Sequence, residues 1–188
     1  MSSEPVPAAV QRVRDAAERN GVSLSIHTFS ESTHTAEEAA AAVGASLGQI
    51  VKSLVFVAPD ANGPRAILCL VSGPNRVDLA RLAAITSEPD VRRATAAEAR
   101  ELTGYVIGGI PPIGHRSAVR VVMDPDLGQF ETVWAAAGTP NAVFPVPPET
   151  LRMLADAEVA AITEDRPAPV AVEAHERTVA EPTTQHGA

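Results

Sequence analysis

Two stretches near the middle of the chain are almost uninterrupted runs of apolar residues. They cover residues 49–58 (QIVKSLVFVA) and 65–73 (RAILCLVSG), and the segment between them, 62–64 (NGP), has the composition of a turn. Strands that are apolar on both faces are typical of the centre of a sheet that is covered on both sides. The pattern therefore predicts two central strands joined by a short connection.

Five further segments combine helical spacing of apolar residues with start or stop signals. In the first, residues 4–21, Val10, Val13 and Ala17 recur on one helical face, and Gly21 suits the position just beyond the helix. The other four begin at a capping Thr or Asp or hold prolines in the first turn, and are residues 33–44, 79–86, 96–104 and 147–154.

Shorter apolar or alternating segments predict the remaining strands, at residues 22–29, 118–124, 132–138, 141–146 and 158–163. Strands and helices are interspersed without strict alternation, and the strand pairs within 51–72 and 118–146 favour antiparallel pairing. The expected fold class is α/β (α+β type), a single domain over residues 1–165 with a mixed, largely antiparallel central sheet surrounded by helices. Residues 166–188 lack periodicity and are predicted to be a disordered tail.

Composition narrows the class of protein. The 188 residues carry a formal net charge of −8 and are 45% hydrophobic but only 3% aromatic. The negative charge argues against a broad grip on DNA or RNA, which relies on excess positive charge. Cys69 is the only cysteine and lies in an apolar run, so we expect a core thiol and no Cys-based zinc site. Neither a Walker loop nor a GxGxxG motif after a first strand is present, which disfavours the common nucleotide-binding folds.

The distribution of apolar and metal-binding residues predicts a cytoplasmic protein without cofactors. No apolar run approaches the ~20 residues of a membrane helix, and the N-terminal segment MSSEPVPAAV lacks the basic and apolar regions of a signal peptide. The five histidines do not cluster by spacing. We therefore expect no membrane partner, no metal and no cofactor.

Lys52 is the one lysine of the chain, against fourteen arginines, and it interrupts the first apolar strand. In strand geometry it shares a face with Ile50, Leu54 and Phe56, because side chains alternate between faces. A lysine on that face must reach water, pair with a carboxylate, or point into a cleft. Two interpretations remain open from the pattern: a lysine at a strand end with its ammonium group in water, or an ammonium group aimed at a phosphate or carbonyl oxygen of a substrate.

The loop that follows the fourth helix, residues 104–116 (GYVIGGIPPIGHR), is rich in glycine and proline. Prolines stiffen such a loop, while glycines such as Gly108 and Gly109 allow the backbone to approach a ligand. Backbone N–H groups exposed there are suited to hold a developing negative charge. The alternative is a plain connection between a helix and a strand, in which His115 is a surface histidine. Asp124, which precedes a proline, is typical of a turn start.

Four motifs, in order, resemble those of the YbaK/ProX family. They are TAEEAAAAVG followed by QIVKSLVF, then NRVDLARL, LTGYVIGGIPPIGH, and VWAAAGTPNAVF followed by PPETL. The members of this family are bacterial aminoacyl-tRNA deacylases related to the editing domain of prolyl-tRNA synthetase. The resemblance covers residues 22–163. It implies a single α/β domain whose central mixed sheet is strongly curved and flanked by helices.

The resemblance also implies roles for particular residues. The central lysine of the family falls on Lys52, and its substrate loop of the form Gly-x-x-x-Pro falls on Gly108 to Pro112, with Gly109 as a further oxyanion donor. The positions carried over as substrate-binding are Thr35, Ile110, Pro112, Gly114, His115, Gly138 and Phe29, and those suggested for phosphate contacts are Arg76, Arg116 and Arg120. One departure is the segment 138–141 (GTPN), where many relatives carry a glycine-rich and often charged stretch.

The implied activity is hydrolysis, in trans, of the ester of a mischarged aminoacyl-tRNA, by a directly attacking water molecule. The expected substrate is tRNA(Pro) carrying a small wrong amino acid such as Ala or Cys. Its acceptor end is the expected partner, with prolyl-tRNA synthetase as a second one. Two alternatives remain. The chain is a silent module that binds an aminoacyl ester, a nucleotide or a synthetase, or it hydrolyses a small acyl ester unrelated to tRNA.

Overall fold

The computed structural model of the protein describes residues 5–30, 32–33 and 35–165. Its helices are α1 (Ala8–Glu18), α2 (Ala36–Val43), α3 (Leu79–Thr86), α4 (Ala96–Thr103) and α5 (Pro148–Ala155). Its strands are β1 (His27–Thr28), β2 (Val51–Ala58), β3 (Arg65–Ser72), β4 (Arg92–Arg93), β5 (Arg120–Met123), β6 (Val133–Ala136), β7 (Ala142–Val146) and β8 (Glu158–Val159). The predicted disordered tail lies outside the described residues.

The strands form two sheets. A five-stranded mixed sheet has the order β4-β2-β3-β5-β8, and a three-stranded antiparallel sheet has the order β1-β7-β6. β2 and β3 pair antiparallel along their whole length and lie inside the larger sheet, as their apolar sequences predict. The α/β fold class with mixed and antiparallel strands is thus confirmed.

Three details differ from the sequence prediction. Only residues 27–28 of the expected strand 22–29 pair with a neighbour, β7. The strand β5 does not join the β6–β7 hairpin but lies parallel to β3 in the larger sheet. The two-residue strand β4 was not predicted, because its exposed Arg-Arg sequence carries no apolar signal.

The capping residues act at the helix starts as their spacing predicts. Thr35 and Thr95 each accept a hydrogen bond from the backbone N–H three residues later, and the glutamate there bonds back to the cap. Asp78 accepts from the N–H groups of the first turn of α3. These bonds satisfy donors that a helix start leaves free. No helix in the described part of the chain is long and apolar enough to cross a membrane.

The larger sheet separates two apolar clusters. On one face Val55 and Leu68 pack with Phe144 of β7 and Leu151 of α5, and on the other Cys69 packs with Leu82 of α3. The thiol of Cys69 is fully buried, which confirms the prediction of a core residue. Burial raises the pKa of this thiol to about 12, because the thiolate would lose its hydration. This packing holds β2, the strand that carries Lys52, from both sides.

Candidate active site

A cavity of about 220 Å³ lies beside the free edge of β2. The start of this edge meets β6 through a parallel bridge between Ile50 and Trp134, and its end pairs with β4 at Phe56 and Val57. Between these points, at residues 51–54, no strand of the described chain pairs with the edge. The separation of the two sheets thus creates the cavity.

The wall of the cavity is mainly apolar and combines small residues with larger aliphatic and aromatic ones. Five consecutive residues of β2, 51–55, contribute to it. Because successive side chains of a strand point to opposite faces, the cavity meets β2 at its edge and not at one face. The opposite wall comes from α2, β6, β7 and the loop after α4, and its apolar members include Ala36, Ala39, Ile107, Trp134 and Val143. Such a wall suits a small apolar group and leaves few polar side chains to orient it.

Lys52 lines this cavity and is half-buried. Its ammonium Nζ donates a hydrogen bond to the backbone carbonyl oxygen of Asn75, at 2.5 Å. Burial lowers the pKa of the ammonium group; the positive charges of Arg76 and Arg93 lower the pKa further, whereas Glu37 and Asp124 oppose the shift. Lys52 is therefore a lining residue of the cavity, and its partly desolvated ammonium group is bonded to a backbone carbonyl oxygen.

The first half of the glycine loop faces the cavity. Residues 106–109 form a tight turn in which the Gly109 N–H donates to the Val106 carbonyl oxygen, at 3.0 Å. Gly108 occupies the third position with φ +92°, a conformation that favours glycine in this type of turn. Gly108 and Ile110 line the cavity. Their N–H groups have no bonded partner within the described residues, whereas that of Gly109 is engaged by the turn.

The second half of the loop is packed against the domain. Pro112 is buried, and the carbonyl oxygen of Gly114 accepts a hydrogen bond from the Tyr105 hydroxyl, at 2.7 Å. The His115 Nε2 lies 2.8 Å from the carbonyl oxygen of Pro111. Burial lowers the pKa of His115, and its bond to Pro111 opposes this shift only in part. Pro112, Gly114 and His115 are not among the residues that line the cavity.

The departing segment 138–141 closes the β6–β7 hairpin. Gly138 has φ +101° and lies against α1, where a Cβ would stand 2.7 Å from the Ala9 carbonyl oxygen. Phe29 and Asn141 exchange hydrogen bonds, with the Phe29 N–H donating at 2.8 Å and its carbonyl accepting at 2.9 Å. Neither Gly138 nor Phe29 lines the cavity, to which this segment contributes Pro140 instead. This segment therefore presents the Pro140 ring to the cavity.

The α2 end of the cavity includes Thr35, whose hydroxyl is engaged in capping α2. Three polar residues that sequence reasoning missed also line the cavity: Thr33, Ser53 and Arg93. The Ser53 Oγ is buried and has no hydrogen-bond partner within the described residues. Arg93 is exposed, and its guanidinium lies 5.5 Å from the centre of the Phe56 ring. The one sequence signal that could have pointed to any of them is that Ser53 is adjacent to Lys52.

The arginines suggested for phosphate contacts separate into two groups. Arg120 is occupied at another part of the sheet, where it donates to the Thr86 carbonyl and pairs with Glu158. Arg116 is exposed and is absent from the cavity wall. Arg76 is exposed and close enough to influence the charge of Lys52. Neither Arg76 nor Arg93 forms an ion pair with a carboxylate in the described chain, so both guanidinium groups are available to an anion.

Metal-binding side chains are dispersed in the described part of the chain, where no three His, Cys, Asp or Glu residues come together as a metal site. His27 packs edge-on against the Trp134 ring, with ring centres 5.3 Å apart. The polar groups that line the cavity are therefore an ammonium group, a guanidinium group, hydroxyl groups and backbone N–H groups, set in a mainly apolar wall.

Comparison with known proteins finds matches over most of the described residues. Residues 30–154 match the family model of the aminoacyl-tRNA editing domain. A solved structure described as a candidate trans-editing enzyme for prolyl tRNA synthetase is 46% identical, with a TM-score of 0.78 over 86% of this chain and 100% of that chain. A candidate Cys-tRNA(Pro)/Cys-tRNA(Cys) deacylase, EbsC of Enterococcus faecalis strain V583, is 27% identical over 135 residues, 72% of this chain and 80% of EbsC.

The Escherichia coli K12 protein named multifunctional Ser/Thr-tRNA deacylase ProXp-y is 32% identical over 96 residues, which are 50% of this chain and 58% of ProXp-y. The match of the family model extends over well more than half of the chain and includes the strand with Lys52 and the loop with Gly108. It confirms the resemblance to the YbaK/ProX family that the motifs indicate. The chain belongs to the aminoacyl-tRNA editing domain family.

Proposed function

We propose that this protein is a trans-editing deacylase that hydrolyses the ester of a mischarged aminoacyl-tRNA in the cavity beside β2. The observation that carries the proposal is that Lys52, Gly108 and Ile110 line one small, mainly apolar cavity, and that the N–H groups of Gly108 and Ile110 have no bonded partner within the described residues. Ester hydrolysis needs a polarised carbonyl group and a stabilised oxyanion. Both requirements are met without a nucleophilic side chain, which agrees with direct attack by water.

In the proposed reaction the water oxygen bonds to the ester carbonyl carbon, and the carbonyl electrons move onto its oxygen. The N–H groups of Gly108 and Ile110 donate to that oxyanion. The bond to the ribose oxygen then breaks, and the proton lost by water ends on this leaving oxygen. Lys52 supplies a fixed positive charge to the substrate's phosphate or carbonyl oxygen. A positive charge that is already oriented toward such an oxygen stabilises the transition state more in a partly desolvated site than it would in water.

Selection among amino acids follows from the size of the cavity. A volume of about 220 Å³ must hold the aminoacyl group together with part of the terminal ribose. Hydrophobic pockets discriminate one methylene by only ~1–3 kcal/mol, so rejection of larger groups by steric clash is the efficient device. We therefore assign small amino acids such as Ala and Cys on tRNA(Pro) as the substrates, in line with the name of EbsC.

Contact with the rest of the tRNA is proposed for the unpaired guanidinium groups of Arg76 and Arg93, which lie around the Lys52 charge. Two or three phosphate contacts suffice for an enzyme that holds only the acceptor end, so they are compatible with a net charge of −8. We propose prolyl-tRNA synthetase as the partner that delivers the mischarged tRNA, and the cytoplasm as the location.

The test is deacylation of tRNA(Pro) charged with Ala, Cys, Ser or Pro by the purified protein, with release of the labelled amino acid followed over time. We expect hydrolysis of a small non-cognate ester and sparing of the cognate Pro ester. Tight binding of a non-hydrolysable aminoacyl-adenosine, together with no turnover of any ester, would replace this proposal with that of a silent binding module. Equal turnover of a short aminoacyl-adenosine ester and of charged tRNA would show that the tRNA body is not recognised.

A further inference from the structure

The acceptor of the Lys52 ammonium is a backbone carbonyl, and backbone atoms are only as fixed as the turn that carries them. That turn, residues 72–75, connects β3 to the start of α3 and contains an internal bond from the Asn75 N–H to the Ser72 carbonyl, at 2.9 Å. What holds this turn therefore decides where the Lys52 charge lies.

A buried carboxylate holds the turn from below. Asp124, at the end of β5, is fully buried. Its Oδ2 accepts from the Ser72 N–H at 3.1 Å and from the Asn75 Nδ2 at 2.7 Å, so it bonds to both ends of the turn. Its Oδ1 accepts from the Asp126 N–H at 3.0 Å, and Asp126 in turn accepts from the same Asn75 amide at 2.8 Å.

The other side of the turn is closed by steric contact. A Cβ on Gly73 would stand 2.1 Å from the carbonyl oxygen of Leu47, so there is no room for the turn to shift toward that segment. The Ser72 hydroxyl donates to the Gly48 carbonyl of the same segment, at 2.7 Å. The turn is thus fixed between residues 47–48 on one side and Asp124 on the other.

We propose that Asp124 is a positioning residue of the site, which holds the Asn75 carbonyl oxygen, through the Asn75 amide, at the point where it anchors the Lys52 ammonium. The sequence alone suggests only a turn start for Asp124. A turn start needs no buried carboxylate, whereas burial of an ionisable group is favourable only when several donors satisfy it. The three donors on Asp124 all belong to the two turns that meet beneath Lys52.

The single lysine allows a direct test of this network. In the full-length protein labelled with ¹⁵N-lysine, the side-chain ammonium signal arises from Lys52 alone, and its exchange with water reports whether the group is held. We expect slow exchange in the wild type. Asp124→Asn replaces one carboxylate oxygen, an acceptor, by an NH2 group that donates and therefore cannot accept from the N–H groups around it. This variant is expected to accelerate exchange roughly tenfold or more. Asn75→Ala keeps the carbonyl acceptor but removes the amide, and is expected to act in the same direction.

The matched control is Thr86→Val, which removes a buried hydroxyl bond to the Leu82 carbonyl, at 2.7 Å, in the last turn of α3. It is expected to lower the unfolding free energy without changing ammonium exchange. Wild-type exchange as fast as that of free lysine, or unchanged exchange in folded Asn75→Ala, would overturn the proposal. If Asp124→Asn does not fold, Asn75→Ala decides the question by itself.

The effect on deacylation rests on the proposed function, whereas the exchange measurement does not. We expect Asn75→Ala to lower kcat/KM for the mischarged tRNA roughly tenfold, while Thr86→Val leaves it unchanged. If the wild type hydrolyses no charged tRNA but exchange responds as expected, the proposed function fails and the positioning network stands. If the wild type hydrolyses charged tRNA but ammonium exchange does not change in the variants, the positioning proposal fails and the proposed function stands.

Discussion

The Lys52 ammonium group donates to the Asn75 carbonyl oxygen 2.5 Å away, which ties the edge of β2 to the turn after β3. The two residues are 23 positions apart in the chain. The contact explains how a charge can stand in an apolar strand. The Lys52 nitrogen has a carbonyl partner on Asn75, whose own side-chain amide donates to the buried Asp124. This arrangement is the basis of the predictions below.

Lys52→Ala is expected to lower kcat/KM for a mischarged tRNA about a hundredfold or more, because the site loses its oriented charge. Lys52→Arg is expected to recover little of this loss, since a planar guanidinium cannot occupy the place of a compact ammonium. Steady-state deacylation checks both. Arg65→Ala, which removes an exposed cation paired with Asp60 at the far end of β3, is the control. Full activity of Lys52→Ala would contradict the assigned role.

Gly108→Ala tests the turn that faces the cavity. The added Cβ would meet only the Pro140 ring at 3.8 Å, so the penalty is the strain of φ +92° rather than a clash. Gly63→Ala is the matched control, with φ +108° and open space around it. Each variant is expected to lose about 1 kcal/mol of unfolding free energy. Only Gly108→Ala is expected to lower deacylation, by roughly tenfold; equal activities would argue against the turn's role.

Ala39→Leu tests selection by size, because Ala39 is buried on the α2 wall of the cavity. The larger side chain is expected to reduce hydrolysis of the Cys ester more than that of the Ala ester, roughly tenfold in the ratio of kcat/KM. Ala42→Leu, on the exposed face of the same helix, should leave the ratio unchanged. An unaltered ratio in Ala39→Leu would show that the aminoacyl group lies elsewhere.

Ser53→Ala removes the buried hydroxyl that has no partner within the described residues. We expect the free energy of unfolding to rise by about 1 kcal/mol, because an unsatisfied buried hydroxyl destabilises the fold. We also expect KM for the aminoacyl ester to rise several-fold through loss of a substrate contact. Ser72→Ala is the control. It removes a hydroxyl that donates to the Gly48 carbonyl, so it is expected to lower the free energy of unfolding. A destabilised Ser53→Ala would mean that this hydroxyl is already satisfied.

The buried thiol of Cys69 is expected to make the folded protein less stable in alkaline solution. The pKa of its thiol is raised from 9.0 to about 12 by burial, so between these values the unfolded chain releases a proton that the folded chain keeps. The contribution of the thiol to the free energy of unfolding is therefore fully present below pH 9 and is lost as pH rises toward 12.

Denaturant unfolding at pH 8 and pH 10 measures this effect. The wild type is expected to lose about 1 kcal/mol more than Cys69→Ala over that interval. The comparison isolates the thiol, because the opposing contribution of Lys52, whose lowered pKa raises stability with pH below 10.5, is common to both proteins. An identical pH slope in the two proteins would contradict the prediction.

Local pattern was sufficient for most of the secondary structure. The apolar runs of β2 and β3, the caps Thr35, Asp78 and Thr95, and the position of Lys52 in a strand all depend on residues close in sequence. Each is specified by the hydrogen bonds and side-chain alternation of neighbouring positions. The family motifs follow the same local order, so the fold class and the family could be predicted before any coordinates.

Only the tertiary structure decided which of these residues meet. It separated the glycine loop into a half that faces the cavity at Gly108 and a half that supports the domain at His115. It also brought Asp124 beneath the turn that holds Lys52, and left Ser53 without a partner within the described residues. Such contacts join residues tens of positions apart, and burial and hydrogen-bond geometry, which no local spacing encodes, determine them.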